Sequence, residues 1–379
     1  MNGLILFLLA YFLLASYPGW RIWQWLRLLL PAWIGFLYWP LYTLAALSPL
    51  LERLPFGEAV SRFTGHLRNY WLGIFALFLV FITLIDLIRL IRGLISRHTR
   101  KRAEGSAKRQ AILAGWLTCL MILTIGFYGS WQARQMHTVH YAMTIEKPAD
   151  QTELKLILAS DLHMGLEMDA RRLQSFVQAV NQLEPDLILL AGDLFDGRFT
   201  DLAEPQDAAR ILSRLQSDYG VYACLGNHDS GPGLPDMLAF LQQAGIQVLQ
   251  DESLDVAGVR LAGRLDRAPI AEQGKRRPLA EWLTDVPPGQ PVILLDHSPL
   301  GLAEARGQPV DLIVSGHTHN GQIFPGNLIV AQIYENAYGY KVYDALHSVV
   351  TSGVGTWGPP WRLASQSEIV LLTVSFKSS

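Results

Sequence analysis

The chain has 379 residues, half of them hydrophobic and only 17% charged, which excludes a disordered or fibrous polypeptide and exceeds one average domain. A net charge of −2 hides a division: 13 basic and 4 acidic residues precede position 132, and 18 basic and 29 acidic residues follow. The acidic half argues against a general nucleic-acid partner, and Cys119 and Cys224 are too few for a disulfide framework.

Charge-free stretches over residues 1–20, 28–51, 69–85 and 110–133 each approach the roughly 17–25 residues that cross a bilayer. They predict a membrane domain of about four transmembrane helices over residues 1–133. The first stretch lacks a basic leader and a small-residue cleavage site, and it reads as a retained helix rather than a signal peptide. Asp86 is the acidic residue within these spans, and Arg89 three positions later predicts an ion pair near a helix end. Trp20, Trp23, Trp25, Trp33, Trp39 and Trp71 suit interfacial belts.

Orientation follows from the loop between the third and fourth stretches. Arg89, Arg92, Arg97, Arg100, Lys101, Arg102, Lys108 and Arg109 are opposed there only by Glu104. Basic loops resist translocation, so this one is expected in the cytoplasm. Four crossings then put the acidic half outside, in a multi-pass protein of the cell (inner) membrane.

Residues 134–153 read as a polar connector, after which short apolar runs end in polar clusters. Residues 154–160 predict a buried strand, followed by Asp161-Leu162-His163. Asp169 can cap a helix over residues 170–183, with Leu173, Phe176, Val177 and Val180 on one face. A strand over 187–191 ends at Gly192-Asp193. A helix near 207–215 precedes a strand over 221–225 that ends at Gly226-Asn227-His228-Asp229, and another helix follows near 235–244. Residues 255–262 read as a hairpin arm and 264–278 as a loose basic insertion. Strands at 292–295 and 312–314 lead into Asp296-His297 and Ser315-Gly316-His317-Thr318-His319. Further strands are expected near 340–343, 348–351 and 368–376. The pattern predicts an α/β domain over residues 154–379, a sandwich of two sheets flanked by helices, with polar residues at the strand ends where open α/β sheets place their sites.

Taken singly, these polar clusters are weak signals. An Asp-x-His at a strand end is more often a turn with a capping carboxylate, and a lone histidine is usually satisfied by its surroundings. Together they collect carboxylate, amide and imidazole donors without thiolates, a set that suits Zn, Mn or Fe and differs from a structural zinc site. Asp161-x-His163, Gly192-Asp193-x-x-Asp196, Gly226-Asn227-His228-Asp229, His297 and Gly316-His317-x-His319 resemble, in order and in full, the motifs of the calcineurin-like metallophosphoesterases. The likeness runs over residues 154–376. The run from Gly316 to Gln322 and the segment Gly353-Val354-Gly355-Thr356-Trp357 are similar to a bacterial membrane-associated branch, which includes enzymes acting on lipid-linked phosphodiesters. Asn320 stands where that branch has glycine, and Trp361 where an aliphatic residue is commoner.

The resemblance implies two divalent cations. Asp161, His163 and His319 would hold one, Asn227, His297 and His317 the other, and Asp193 would bridge them. It further implies a shared water, deprotonated by the pair, that attacks phosphorus in line. His228 would protonate the leaving alkoxide and Asp196 would orient His228. Arg362 and Trp357 are candidate substrate contacts. Trp357 and Trp361 flank Gly-Pro-Pro and form either an aromatic lip or packing on the last strand. The expected activity is hydrolysis of a phosphodiester or pyrophosphate, lipid-linked and presented at the membrane. A broad phosphomonoesterase or nucleotidase is the alternative enzyme. A non-catalytic receptor or scaffold is the alternative of another class, and the intact donor set counts against it.

Overall fold

Long helices form where the sequence lacks charge. The computed structural model describes residues 2–51, 54, 57–95, 104–267 and 276–377, and the chain groups into two units, Met1–Gly129 and Ser130–Ser379. The first contains α1 (Asn2–Leu26), α2 (Gly35–Leu51), α3 (Glu58–Ile95) and most of α4 (Glu104–Arg134). Among the described residues, three helical segments are long and apolar enough to cross a membrane: Ala32–Leu51, Glu58–Leu94 and Ala107–Arg134. The first expected span falls within α1, which continues through Arg21. Arg97, Arg100, Lys101 and Arg102 of the basic loop lie outside the described residues.

The second unit opens with β1 (Met136–Ile145), where a connector was expected. All ten of its residues pair in parallel with the final strand. The period-two signal is present in Val139, Tyr141, Met143 and Ile145, which turn inward, but the alternate Thr138, His140, Ala142 and Thr144 face solvent, as does His137 at the start of the strand. A strand apolar on one face only, flanked by polar residues, does not stand out as a core run.

In chain order the unit continues with β2 (Glu153–Ala159), α5 (Ala170–Asn181), β3 (Leu187–Ala191), α6 (Pro205–Leu212), β4 (Val221–Cys224), α7 (Leu234–Gln243) and β5 (Ile246–Val248). There follow β6 (Glu252–Val256), β7 (Val259–Gly263), α8 (Leu279–Trp282), β8 (Val292–Leu295), α9 (Leu302–Ala305) and β9 (Leu312–Ser315). Last come α10 (Gly326–Ile333), β10 (Gly339–Tyr343), β11 (Leu346–Val350) and β12 (Ser367–Phe376). Among the described residues two six-stranded sheets form, ordered β1-β12-β2-β3-β4-β5 and β10-β11-β9-β8-β7-β6.

Strand periodicity explains the layers. Leu156 and Leu158 of β2 face the second sheet and join Leu261, Ile293, Leu312 and Val314 in the inner core. Their neighbours Ile157 and Ala159 face outward onto α5, α6 and α7, packing with Phe176, Ala209 and Leu241. Because both faces are covered, these strands read as unbroken apolar runs. Helix α5 forms as its sequence predicts: Asp169 accepts from Arg172 N at 2.8 Å, and Leu173, Phe176, Val177 and Val180 are buried.

Parallel pairing of β2, β3 and β4 in one sheet, and of β7, β8 and β9 in the other, fixes strand polarity. Their carboxyl ends carry the polar clusters.

Candidate metal centre

Each site residue lies two to five positions past the end of a strand, so the sheets set its position. Among the described residues, three groups gather ligand atoms within 4.8 Å of one another: Asp161 with His163 and His319; His163 with Asp196 and His228; and Asp193 with His297 and His317. The first group joins the ends of β2 and β9, and the third joins β3, β8 and β9. Both sheets therefore feed one site.

In the first group His163 Nε2 lies 3.1 Å from His319 Nε2, which lies 3.3 Å from Asp161 Oδ1. Asp161 Oδ2 accepts from Ser160 Oγ and, at 3.0 Å, from His317 N. Its Oδ1 is buried without a hydrogen-bond partner. In the third group His297 Nδ1 meets the carbonyl of Ala191 at 2.8 Å. A carbonyl only accepts, so Nδ1 carries a proton and Nε2 is the ring nitrogen turned to the site. His297 Nε2 is 3.1 Å from Asp193 Oδ2 but lacks hydrogen-bond geometry, and Asn227 Oδ1 is also buried without a partner.

Converging lone pairs of this kind require positive charge between them. The protonation directions agree: burial alone would lower His297, yet the Asp193 carboxylate overrides it and raises His297 well above its ordinary value. Burial drives His319 down to about 3, against the pull of Asp161. Orphaned oxygen and nitrogen atoms, carboxylate and imidazole donors and buried positions together fit divalent cations.

The local backbone is strained where these donors sit. Asp161, His163, Asp193, His317 and His319 have φ of 52°, 46°, 50°, 72° and 49°, the left-handed region that non-glycine residues rarely occupy. Gly226 admits the approach that packs them: a Cβ there would lie 2.2 Å from Asp193 Oδ1.

Asp229 is the positioning residue that the motif contains but sequence reasoning left without a role. Fully buried, it accepts from Leu194 N at 3.1 Å, Phe195 N at 2.8 Å and Gly226 N at 2.9 Å. It thereby staples the loop after β3 to the turn after β4. Burial and the nearby Asp193 carboxylate push it up to about 7, against the pull of those three N–H groups. Arg276 plays a comparable part behind His297, pairing with Asp296 at 2.8 and 2.5 Å. The insertion expected to be loose is thus anchored at its described ends, by Arg276 and by the buried Arg264, which donates to Glu304 at 2.7 Å.

His228 is partly buried, and its Nδ1 lies 3.9 Å from Asp196 Oδ1. Asp196 also lies 3.4 Å from His163 Nδ1, so it stands between the two rings. Trp357, 56% exposed, sets its ring 6.3 Å from that of His228. Trp361 is buried, so the two tryptophans divide between mouth and core.

Arg362 does not meet the expectation of a substrate contact. Its side chain is fully buried, and its guanidinium donates to the carbonyls of Ser352, Gly353 and Gly355 at 2.8, 3.0 and 2.6 Å, and to Ser365 and Gln366. The Nε of Arg362 has no partner but is buried with the rest of the side chain, so the residue exposes no donor to a ligand. It holds the 352–355 loop, whose Val354 and Gly355 N–H groups bond the carbonyls of Ser160 and Asp161. Burial cannot be read from an isolated Arg near a chain end.

Residues 154–321 match the model of the calcineurin-like phosphoesterase family. The chain is 33% identical over 259 residues to a metallophosphoesterase of Aquifex aeolicus, covering 67% of this chain and 98% of that protein. It is 32% identical over 279 residues to a metallophosphoesterase of Helicobacter pylori, covering 73% and 72%. A Danio rerio protein called transmembrane protein with metallophosphoesterase domain is 31% identical over 289 residues, covering 72% and 64%. Among solved structures, a 5'-nucleotidase precursor from Thermus thermophilus aligns with TM-score 0.36 and 19% identity over 58% of this chain, which spans about half (55%) of that structure's length. Fold, donor set and sequence relatives together define a metal-dependent phosphoesterase. The chain belongs to the calcineurin-like metallophosphoesterase family.

Proposed function

We propose that this enzyme hydrolyses a phosphodiester or pyrophosphate carried by a lipid. One observation supports the lipid: the site is rimmed by apolar side chains left in water. Phe324, Leu328, Ile329, Ile333 and Trp357 are each more than half exposed, and α10 buries none of its residues. Exposure of each forgoes about 1–2 kcal/mol of burial, and a cluster of them marks an interaction surface. The rim adjoins the chemistry. The ring of Tyr334, just past α10, is 5.9 Å from His317, and Trp357 flanks His228.

In this reading Asp161, His163 and His319 would hold one divalent cation, Asn227, His297 and His317 would hold a second, and Asp193 would serve both. Bound there, the pair supplies Lewis acidity to the phosphoryl oxygens and an activated water nucleophile. His228 delivers a proton to the departing alkoxide, and the Asp196 carboxylate, 3.9 Å from its Nδ1, orients the ring by charge attraction. Asp229 and Arg362 keep the donor loops in register. The basic loop after α3 stays in the cytoplasm, and the chain crosses the membrane about four times to expose the catalytic half outside.

Full-length protein in mixed micelles tests the substrate. A long-chain phosphodiester should be turned over with higher kcat/KM than its short-chain, water-soluble form, and Leu328→Glu with Ile329→Glu should erase the difference while sparing the soluble ester. Equal rates on both esters, with a soluble phosphomonoester turned over faster, would overturn the lipid reading in favour of a broad phosphomonoesterase.

A further inference from the structure

A second site lies in the helical unit, apart from the catalytic residues. Helices α1, α3 and α4 border a partly open cavity of about 290 Å³. Trp25, Phe78, Ile82 and Ile85 form its apolar wall, while Arg21 and Arg89 mark a polar end. No acidic residue lines it among the described residues.

The charge around that end does not balance. Asp86 Oδ1 takes Arg21 Nη2 at 2.5 Å and Arg89 Nη1 at 3.2 Å, and Oδ2 accepts from Tyr17 Oη at 2.7 Å. Two guanidiniums thus share one carboxylate whose oxygens are both engaged. Arg21 keeps a buried Nε without a hydrogen-bond partner. Surplus guanidinium charge with an unused Nε donor attracts an anion whose oxygens match its planar N–H array. The apolar wall calls for hydrocarbon beside that anion, which a free inorganic ion lacks.

We infer that this cavity binds one anionic phospholipid, its phosphate on Arg21 and Arg89 and an acyl segment along Trp25, Phe78 and Ile82. Arg89 lies toward the end of α3 that leads into the basic loop, so the headgroup sits at that end of the helices. The site stands whether or not the enzyme acts on lipids.

Purified full-length protein in dodecyl maltoside would be titrated with dioleoyl-phosphatidylglycerol or dioleoyl-phosphatidylcholine, and bound lipid counted by native mass spectrometry. Phosphatidylglycerol should be retained in preference. Arg89→Gln should weaken its apparent affinity about five-fold, and Asp86→Asn, which removes the competing carboxylate, should strengthen it by a similar factor. Ala114→Phe fills the cavity from α4 without altering a charge and should abolish the preference. Inorganic phosphate alone should not displace the lipid. Equal retention of the two lipids, shifts of the same sign in the two charge variants, an unchanged preference in Ala114→Phe, or displacement by phosphate would each overturn the site. Should Asp86→Asn not fold, Arg89→Gln and Ala114→Phe decide it, since neither breaks the Arg21–Asp86 pair.

Discussion

The backbone N–H of His228 donates to Asp193 Oδ1 at 2.8 Å, tying the turn after β4 to the end of β3. The other oxygen of Asp193 faces His297 from the second sheet at 3.1 Å. One carboxylate therefore references both the proposed acid and a donor from the opposite layer, and any change at Asp193 is felt on both sides.

Asp193→Asn is expected to lower kcat by more than the ~10–100-fold typical of losing an outer hydrogen-bond partner of a metal ligand. Removing the negative charge that both cations would share should also reduce metal content, read by elemental analysis. Two retained metals with near-normal kcat would sink the assignment.

His228→Asn leaves every proposed ligand in place. Metal content should hold while kcat on a poor alkoxide leaving group falls about 10²–10⁴-fold. A p-nitrophenyl ester, whose leaving group needs no proton, should lose far less. An equal loss on both would rule out leaving-group protonation.

The pH dependence has a defined sign. Burial lowers His228 below its ordinary value, with the Asp193 and Asp196 carboxylates pulling it back up. An acid works only while protonated, so the advantage on poor leaving groups should decline as pH rises through that lowered value. The p-nitrophenyl ester should show no such limb. A ratio of the two rates that climbs with pH would contradict the role.

Arg362→Ala separates positioning from substrate contact. It leaves the carbonyls of Ser352 and Gly355 without a donor, while Gly353 keeps Glu368 N and Gln366 keeps Ser352 Oγ. Buried unsatisfied groups cost about 1–3 kcal/mol each, so two of them should lower Tm by at least roughly 4–8 °C. KM should change little in protein that remains folded. A raised KM with unchanged Tm would return Arg362 to the substrate.

Topology is testable with paired fusions after Ser379, a phosphatase reporter active only on export and a fluorescent reporter active only inside. Phosphatase activity without fluorescence is expected. The reverse pattern would place the catalytic half in the cytoplasm.

Much of the site was legible locally. A donor that closely follows a buried strand announces itself, because the apolar run ends where the chain leaves the core, and Asp161, Asp193, Asn227, His297 and His317 all stand there. Helix α5 was legible for the same reason, its cap and apolar stripe lying within one short segment. Strand β1 was not, since its only described ladder is with β12, more than two hundred residues away in the chain. Arg362 was misread because its partners are backbone carbonyls, which every sequence supplies and none advertises.

By itself the sequence determined the donor chemistry, the charge-free stretches within the long helices and the strand-to-donor order, all properties set by neighbouring residues. Only the tertiary structure decided that His163 and His319, 156 positions apart, meet at 3.1 Å. It also decided that Asp229 staples two loops and that Arg21 joins Arg89 on Asp86. Such contacts arise from the stacking of two sheets and the packing of helices, where distance along the chain no longer measures distance in space.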